Sequence, residues 1–280
     1  MFTLISSKHE ARLNEIISSI NEEFTGKISL ELAELINEIR EEIPKKKRIS
    51  YGRYSIIKKM GIMMYPSLIK NNIDPFNFSL KLFEYKQGDQ FVRSLSLQIL
   101  SIYAIKQGNP SSILPYFEQA AIDEKWEVRE CSAGFIRKLI REHPKIMEKW
   151  YTKIVLSNNP QLRRFASESI RPVADNKWFK KNPDFCFSIL KHLYHENHPY
   201  PRSSVGNNLS DWSKIDKERV FRIIEDLVKN NDKNSYWIAY RACRNLVKIE
   251  PSRVMDLLDI DKYTYKKKIY QRSKECESKV

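Results

Sequence analysis

Glycine is scarce in this chain, with seven in 280 residues, and with it go the left-handed turns that glycine supports in strand-rich folds. Alternation of apolar and polar residues is also rare, while apolar residues recur at i, i+3, i+4 and i+7. That pattern excludes a sheet-based fold and predicts an almost all-helical chain, in which strands would be unexpected. No run of about 18 apolar residues is present, nor an amphipathic Lys/Arg helix with a wholly apolar opposite face, so no membrane span or surface anchor is expected. The opening MFTLISSKHEARLNEI lacks a basic segment followed by an apolar one, which argues against a secretory signal and for a cytoplasmic protein. Four cysteines, Cys131, Cys186, Cys243 and Cys276, are too far apart for a CxxC pair and suit free thiols in a reducing compartment. His192, His195 and His198 recur every third residue, not at the i, i+4 spacing of a helical zinc pair, so neither metal nor cofactor is expected.

What is present is positive charge and helix. A hydrophobic fraction of 41% can build a sizeable core in one extended domain or two ordinary ones. Lys and Arg number 49 against 35 Asp and Glu, a formal charge of +14. A field of that sign favours a polyanion, nucleic acid first and a membrane surface second.

Five segments align without gaps: VRSLSLQILSI from Val92, VRECSAGFIRK from Val128, LRRFASESIRP from Leu162, PRSSVGNNLSD from Pro201 and IAYRACRNLVK from Ile238. Their starts are 36, 34, 39 and 37 residues apart, the period of stacked helical hairpins such as HEAT or armadillo repeats. Between them SILPYFEQAAI, KIMEKWYTKIVL, DFCFSILKHLYHE and ERVFRIIEDLVK carry apolar stripes that end in Asn-, Asp-, Ser- or Pro-rich breaks. The expected fold is all-α, a right-handed superhelical array of HEAT-like hairpins with a concave basic face. Its expected extent is a single domain over residues 1–262, with capping helices over 1–85, around the basic loop Pro44 to Arg48, and repeats over 86–262. A basic tail over 263–280 would follow.

Rotation by about 100° per residue turns positions 0, 3, 7 and 8 of each aligned segment to the core: Val92, Leu95, Ile99 and Leu100, then Val128, Cys131, Phe135 and Ile136. Positions 2, 6, 9 and 10 face away and hold Glu130 and Arg137, then Arg164, Glu168 and Arg171, then Ser203, Asn207, Ser210 and Asp211. In QLRRFASESIRP, Glu168 lies four residues after Arg164 and three before Arg171, so all three share a helical face. Such charges serve either as a solvated surface pair or as a site for an anionic ligand. Arginine recurs at position 1 as Arg93, Arg129, Arg163 and Arg202, where it either joins neighbouring repeats or contacts phosphate. Trp126, Trp178, Trp212 and Trp237 lie near the ends of the aligned segments, where an aromatic face beside a carboxylate can hold a cation.

The strings WEVRECSAGFIRKLI (126–140), LRRFASESIRP followed by KWFKKNP (162–183) and PRSSVGNNLSDWSK (201–214) resemble the HEAT-like repeat DNA alkylation repair glycosylases of the AlkD and AlkC type. The resemblance runs in order from about Leu80 to Lys248, and Gly206 to Lys214 is its most specific block. It departs from the family pattern at Ser169, where the family has glycine, at Val173-Ala-Asp-Asn176, and at Gln90 before the first V-R. It implies hydrolysis of the N-glycosidic bond of cationic N3- or N7-alkylated purines in duplex DNA by a monomer. Glu168 and Asp211 match family acids, and Glu130 matches the acid of W-x-V-x-E. On that basis Asp211, Glu168 and Glu130 are the candidate catalytic acids. Trp126, Trp178, Trp212 and Trp237 are candidate substrate contacts, and Arg137, Arg164, Arg171, Arg202 and Lys214 candidate phosphate contacts. Two other readings of the residues stay open: a noncatalytic binder of DNA or RNA structures, and a helical scaffold for proteins.

Overall fold

The computed structural model describes residues 3–20, 26–173 and 177–271. Over these the chain is helical save for one short hairpin, and it divides into two compact units, Met1–Met147 and Glu148–Val280. No helix among the described residues is long and apolar enough to cross a membrane.

The first unit holds α1 (Ser7–Ser18), α2 (Gly26–Glu42), α3 (Arg53–Lys70), α4 (Pro75–Glu84), α5 (Gln90–Gln107), α6 (Leu114–Ala121) and α7 (Trp126–Glu142), and α8 (Pro144–Val155) begins at its end. Local chemistry sets the boundaries. Asp74 and Asp89 accept backbone N–H bonds at the starts of α4 and α5, and Gly108, at φ +64, closes α5 in the left-handed conformation. α5 packs against α3, α4 and α7, so Val92 through Ile102 are buried on every side of the helix. Its serines are accommodated because Ser94, Ser96 and Ser101 donate to the carbonyls of Gln90, Arg93 and Leu97 at 2.6–2.9 Å. All eight core residues expected from the first two aligned segments are buried.

The second unit holds α9 (Pro160–Ser169), α10 (Lys177–Lys181), α11 (Pro183–Leu190), α12 (Pro199–Trp212), α13 (Lys217–Lys229), α14 (Lys233–Ala242) and α15 (Pro251–Leu258). α12 lies between α9 and α14 and packs on both. These are three of the aligned segments standing side by side, while α11 and α13 are two of the intervening amphipathic helices.

Three of the four recurrent arginines join successive repeats. Arg93 pairs with the buried Asp123 just before α7. Arg129 donates to the carbonyls of Asp123 and Glu124. Arg163 grips the buried Glu196 through Nε at 2.6 Å and Nη2 at 2.9 Å, just before α12. Arg202 instead donates to Asn234 in the first turn of α14. Arg93, Arg163 and Arg202 thus each bind the cap region of a following helix, a structural role at those junctions, whereas Arg129 ties down the loop before its own helix.

Expectations for the C-terminal segment need correction. From Tyr263 the sequence reads as a polar tail without strands, but β1 (Lys262–Tyr265) and β2 (Lys268–Gln271) pair antiparallel. Tyr263 makes the difference: fully buried, it stacks on Tyr240 at 4.3 Å and donates to the Tyr240 carbonyl at 2.7 Å. Lys266, at φ +56, closes the turn. The rest of the expected tail, 272–280 with Cys276, lies outside the described residues, as do residues 174–176 of the Val173–Asn176 departure.

Arg163→Ala would strand the Glu196 carboxylate in a site where only 4% of it is exposed. A loss of about 3 kcal/mol in unfolding free energy is expected, measured by urea denaturation; an unchanged midpoint would show that water replaces the guanidinium.

Candidate active site

α9 begins at an Asn159 cap, whose side chain accepts from Gln161 N at 2.8 Å, with Pro160 in its first turn. The helix ends at Ser169, so the single helical face expected to run through Arg171 is interrupted. Pro172 is the cause, because a residue preceding proline is disfavoured in helical conformation. Arg171 therefore leaves the helix, and its side chain reaches across to α12.

Its guanidinium joins two carboxylates. Nη1 donates to Glu168 Oε2 at 3.0 Å, while Nε and Nη2 donate to Asp211 Oδ2 at 3.0 and 2.5 Å. Glu168 is 6% exposed and is also held by Arg164 at 3.3 Å and by the Ser204 hydroxyl at 2.8 Å. The Asp211 side chain is 20% exposed, and its second oxygen, Oδ1, faces Lys214 at 3.5 Å. Burial works to lower the pKa of Arg171, but the charge of Glu168 and the bonds to Asp211 and Glu168 outweigh it and hold the group above its ordinary value. Arg171 is thus a permanent cation between two acids.

The block from Ser204 to Lys214 builds this arrangement almost residue by residue. Ser204 bonds Glu168 and the Ser167 hydroxyl, and Asn208 donates to the Ser167 carbonyl at 2.7 Å. Gly206 leaves room for Arg241, whose Cβ would lie 2.9 Å from a Cβ placed there. Asn207 accepts from Arg241 Nε at 2.9 Å. Asn245 donates to Ser210, and Asp211 and Lys214 complete the charge cluster.

The structure thus brings together Glu168, Asp211, Arg164, Arg171 and Lys214. Trp212 is a correction: it is fully buried, 5.0 Å from the Phe187 ring. Eleven residues after Pro201, it has rotated back to within about 20° of the core direction, so it packs the interior and contacts no substrate. Trp237 lies against the guanidinium groups of Arg202 and Arg241, at 4.9 and 5.2 Å. Trp178 meets Phe179 and Phe185 edge-on. Trp126, 61% exposed, Glu130, exposed, and Arg137, half-buried, all belong to α7 in the first unit.

Residue patterns alone miss Tyr200, whose ring lies 4.4 Å from the Arg164 guanidinium, as well as Ser204 and Arg241. Their only signal is membership of the aligned segments or, for Tyr200, adjacency to one. Three cysteines, Cys131, Cys186 and Cys243, are buried, and burial pushes the Cys131 thiol up to about 12. Among the described residues His9, Glu38 and Glu42 approach one another closely enough to share an ion, but Lys8 and Arg12 already pair with Glu38.

Ser204→Ala removes a neutral donor from a buried carboxylate. A loss of about 2 kcal/mol in stability is expected, read from chemical denaturation, and a loss below a few tenths would show that Arg164 and Arg171 suffice.

No protein-family model matches the chain, and no curated protein matches its sequence. Solved structures do. The chain is similar to the Pseudomonas fluorescens alkylpurine DNA glycosylase AlkC bound to DNA containing an abasic site analogue, with a TM-score of 0.61, 18% identity, and 92% of this chain and 68% of that one covered. It is also similar to AlkD2 from Streptococcus mutans, with a TM-score of 0.50, 19% identity, and 86% and 98% covered. The chain therefore has the all-helical fold of these proteins.

Proposed function

We propose that this protein is a monofunctional DNA glycosylase that hydrolyses the N-glycosidic bond of cationic N3- or N7-alkylated purines in duplex DNA, acting as a monomer in the cytoplasm. The observation that carries this reading is the Arg171 bridge, which gathers Glu168 and Asp211 through Asp211 Oδ2, while Asp211 Oδ1, among the described residues, meets Lys214 at 3.5 Å. One solved structure to which 92% of this chain is similar is an alkylpurine DNA glycosylase bound to DNA containing an abasic site analogue.

The chemistry asks little of the protein beyond charge placement. A purine alkylated at N3 or N7 carries a positive charge, so when the C1′–N bond breaks its electron pair goes to the base, which leaves neutral. No general acid, metal or cofactor takes part in that step. The deoxyribose is left as an oxocarbenium-like cation, and Asp211 Oδ1 is the carboxylate oxygen offered to it. Water adds to C1′ and loses a proton to Asp211, which passes it to solvent. Glu168, buried and held by two arginines, acts through Arg171 by fixing the direction in which that side chain presents Asp211. The exposed Lys214 and the half-buried Arg164 carry charge that suits flanking phosphates. Within the second unit Trp178 offers an indole face for sugar contact, and within the first Trp126, Glu130 and Arg137 of α7 supply an indole, an acid and a cation for contact with DNA.

Chromatography of free bases released from duplex DNA methylated at purine nitrogens tests the reading. The wild type is expected to release 3-methyladenine or 7-methylguanine, and Asp211→Asn to lower the rate about 100-fold or more with an unchanged fold by circular dichroism. The absence of released base from any cationic lesion, with DNA affinity retained in Asp211→Asn, would replace this proposal with a noncatalytic binder. Affinity for duplex DNA is expected to fall as salt rises, with a log–log slope of about −0.9 per phosphate contacted; salt-insensitive association would count against DNA as the partner.

A further inference from the structure

The arginine clasps differ in one respect that their common position hides. Arg93 and Arg163, at position 1 of their repeats, end on the buried carboxylates of Asp123 and Glu196. Arg202, at the same position of its repeat, ends on the neutral amide of Asn234. Its charge is left uncompensated. α14 and the turn just after it add two more such groups: Arg241 bonds the neutral Asn207 side chain, and Arg244 lies over the Tyr265 ring at 5.5 Å.

Among the described residues no carboxylate pairs with Arg202, Arg241 or Arg244. Arg202 and Arg241 lie against the same indole, Trp237, and Arg202 Nε and Arg244 Nε are buried without a hydrogen-bond partner. The mutual repulsion registers on Arg241, whose pKa is lowered first by burial and then by the charge of Arg244. Three half-buried guanidiniums held by neutral amides and aromatic rings are an arrangement that an anion would relieve. At Arg93 and Arg163 the same arginine position is neutralised by a buried acid, and Asn234 stands where an acid would do the same for Arg202.

We infer that Arg202, Arg241 and Arg244 form a phosphate subsite for the DNA backbone, separate from the arginines that hold Glu168 and Asp211. The inference rests on duplex DNA being the substrate. Asn207 and Asn234 orient the guanidiniums, Trp237 and Tyr265 support their faces, and Gly206 lets Arg241 lie close against α12.

Salt titrations of duplex binding by fluorescence anisotropy test it, using the wild type, Arg241→Gln and Asn234→Asp. The last variant supplies Arg202 with the acid that Arg93 and Arg163 already have, and it is expected to keep or raise the thermal midpoint, so loss of fold is not a confounder. Each variant is expected to reduce the magnitude of the log–log salt slope by about one unit. Slopes equal to wild type in both variants would overturn the inference. So would a cluster that serves a free anion, seen as inorganic phosphate raising the thermal midpoint of wild type but not of Asn234→Asp while DNA slopes stay equal. Base release by the wild type separates this claim from the enzymatic one. Release with unchanged slopes removes only the subsite, whereas reduced slopes without any release remove only the glycosylase reading.

Discussion

The guanidinium of Arg171 is the group on which the candidate site depends. Without it, Glu168 and Asp211 are two like charges on neighbouring helices, one of them buried, and both would be raised in energy by their mutual repulsion and by lost hydration. With it, a single planar donor satisfies both carboxylates and fixes the spacing of α9 and α12 at that point. Arginine can do this where lysine could not, because its donors are held in a rigid plane and can serve two acceptors at once. Ser204 and Arg164 complete the shell around Glu168 and leave Asp211 as the acid nearest to solvent.

The remaining arginines sort by what they meet. Arg93 and Arg163 meet buried acids and close the junctions between repeats, while Arg202, Arg241 and Arg244 meet amides and rings, with no carboxylate partner among the described residues. The net charge of +14 is therefore not an even coating, since some arginines are matched by internal acids and others, beside α12 and α14, by neutral groups.

Helical period and repeat spacing were legible in the residues. A helix buries the same angular positions wherever it packs, so the eight core residues of α5 and α7 followed from their order alone. Likewise the PRSSVGNNLSDWSK string carried its own importance, since nearly every polar residue in it now has an assigned partner. Trp212 shows the limit of reading by adjacency: next to Asp211 in sequence, it is turned about 100° from it around the helix and is fully buried.

By itself, then, the sequence determined the all-helical class, the two-helix period, the core stripe and the presence of acids among arginines, because these depend on local geometry and composition. Tertiary structure alone decided which charges meet. Arg171 reaches Asp211 forty residues away because Pro172 ends α9 and frees the side chain from the helical face. Tyr263 turns a basic tail into a hairpin because Tyr240 offers a ring and a carbonyl to bury it against. Contacts between residues far apart in the chain depend on how helices dock, and periodicity within one helix carries no information about that.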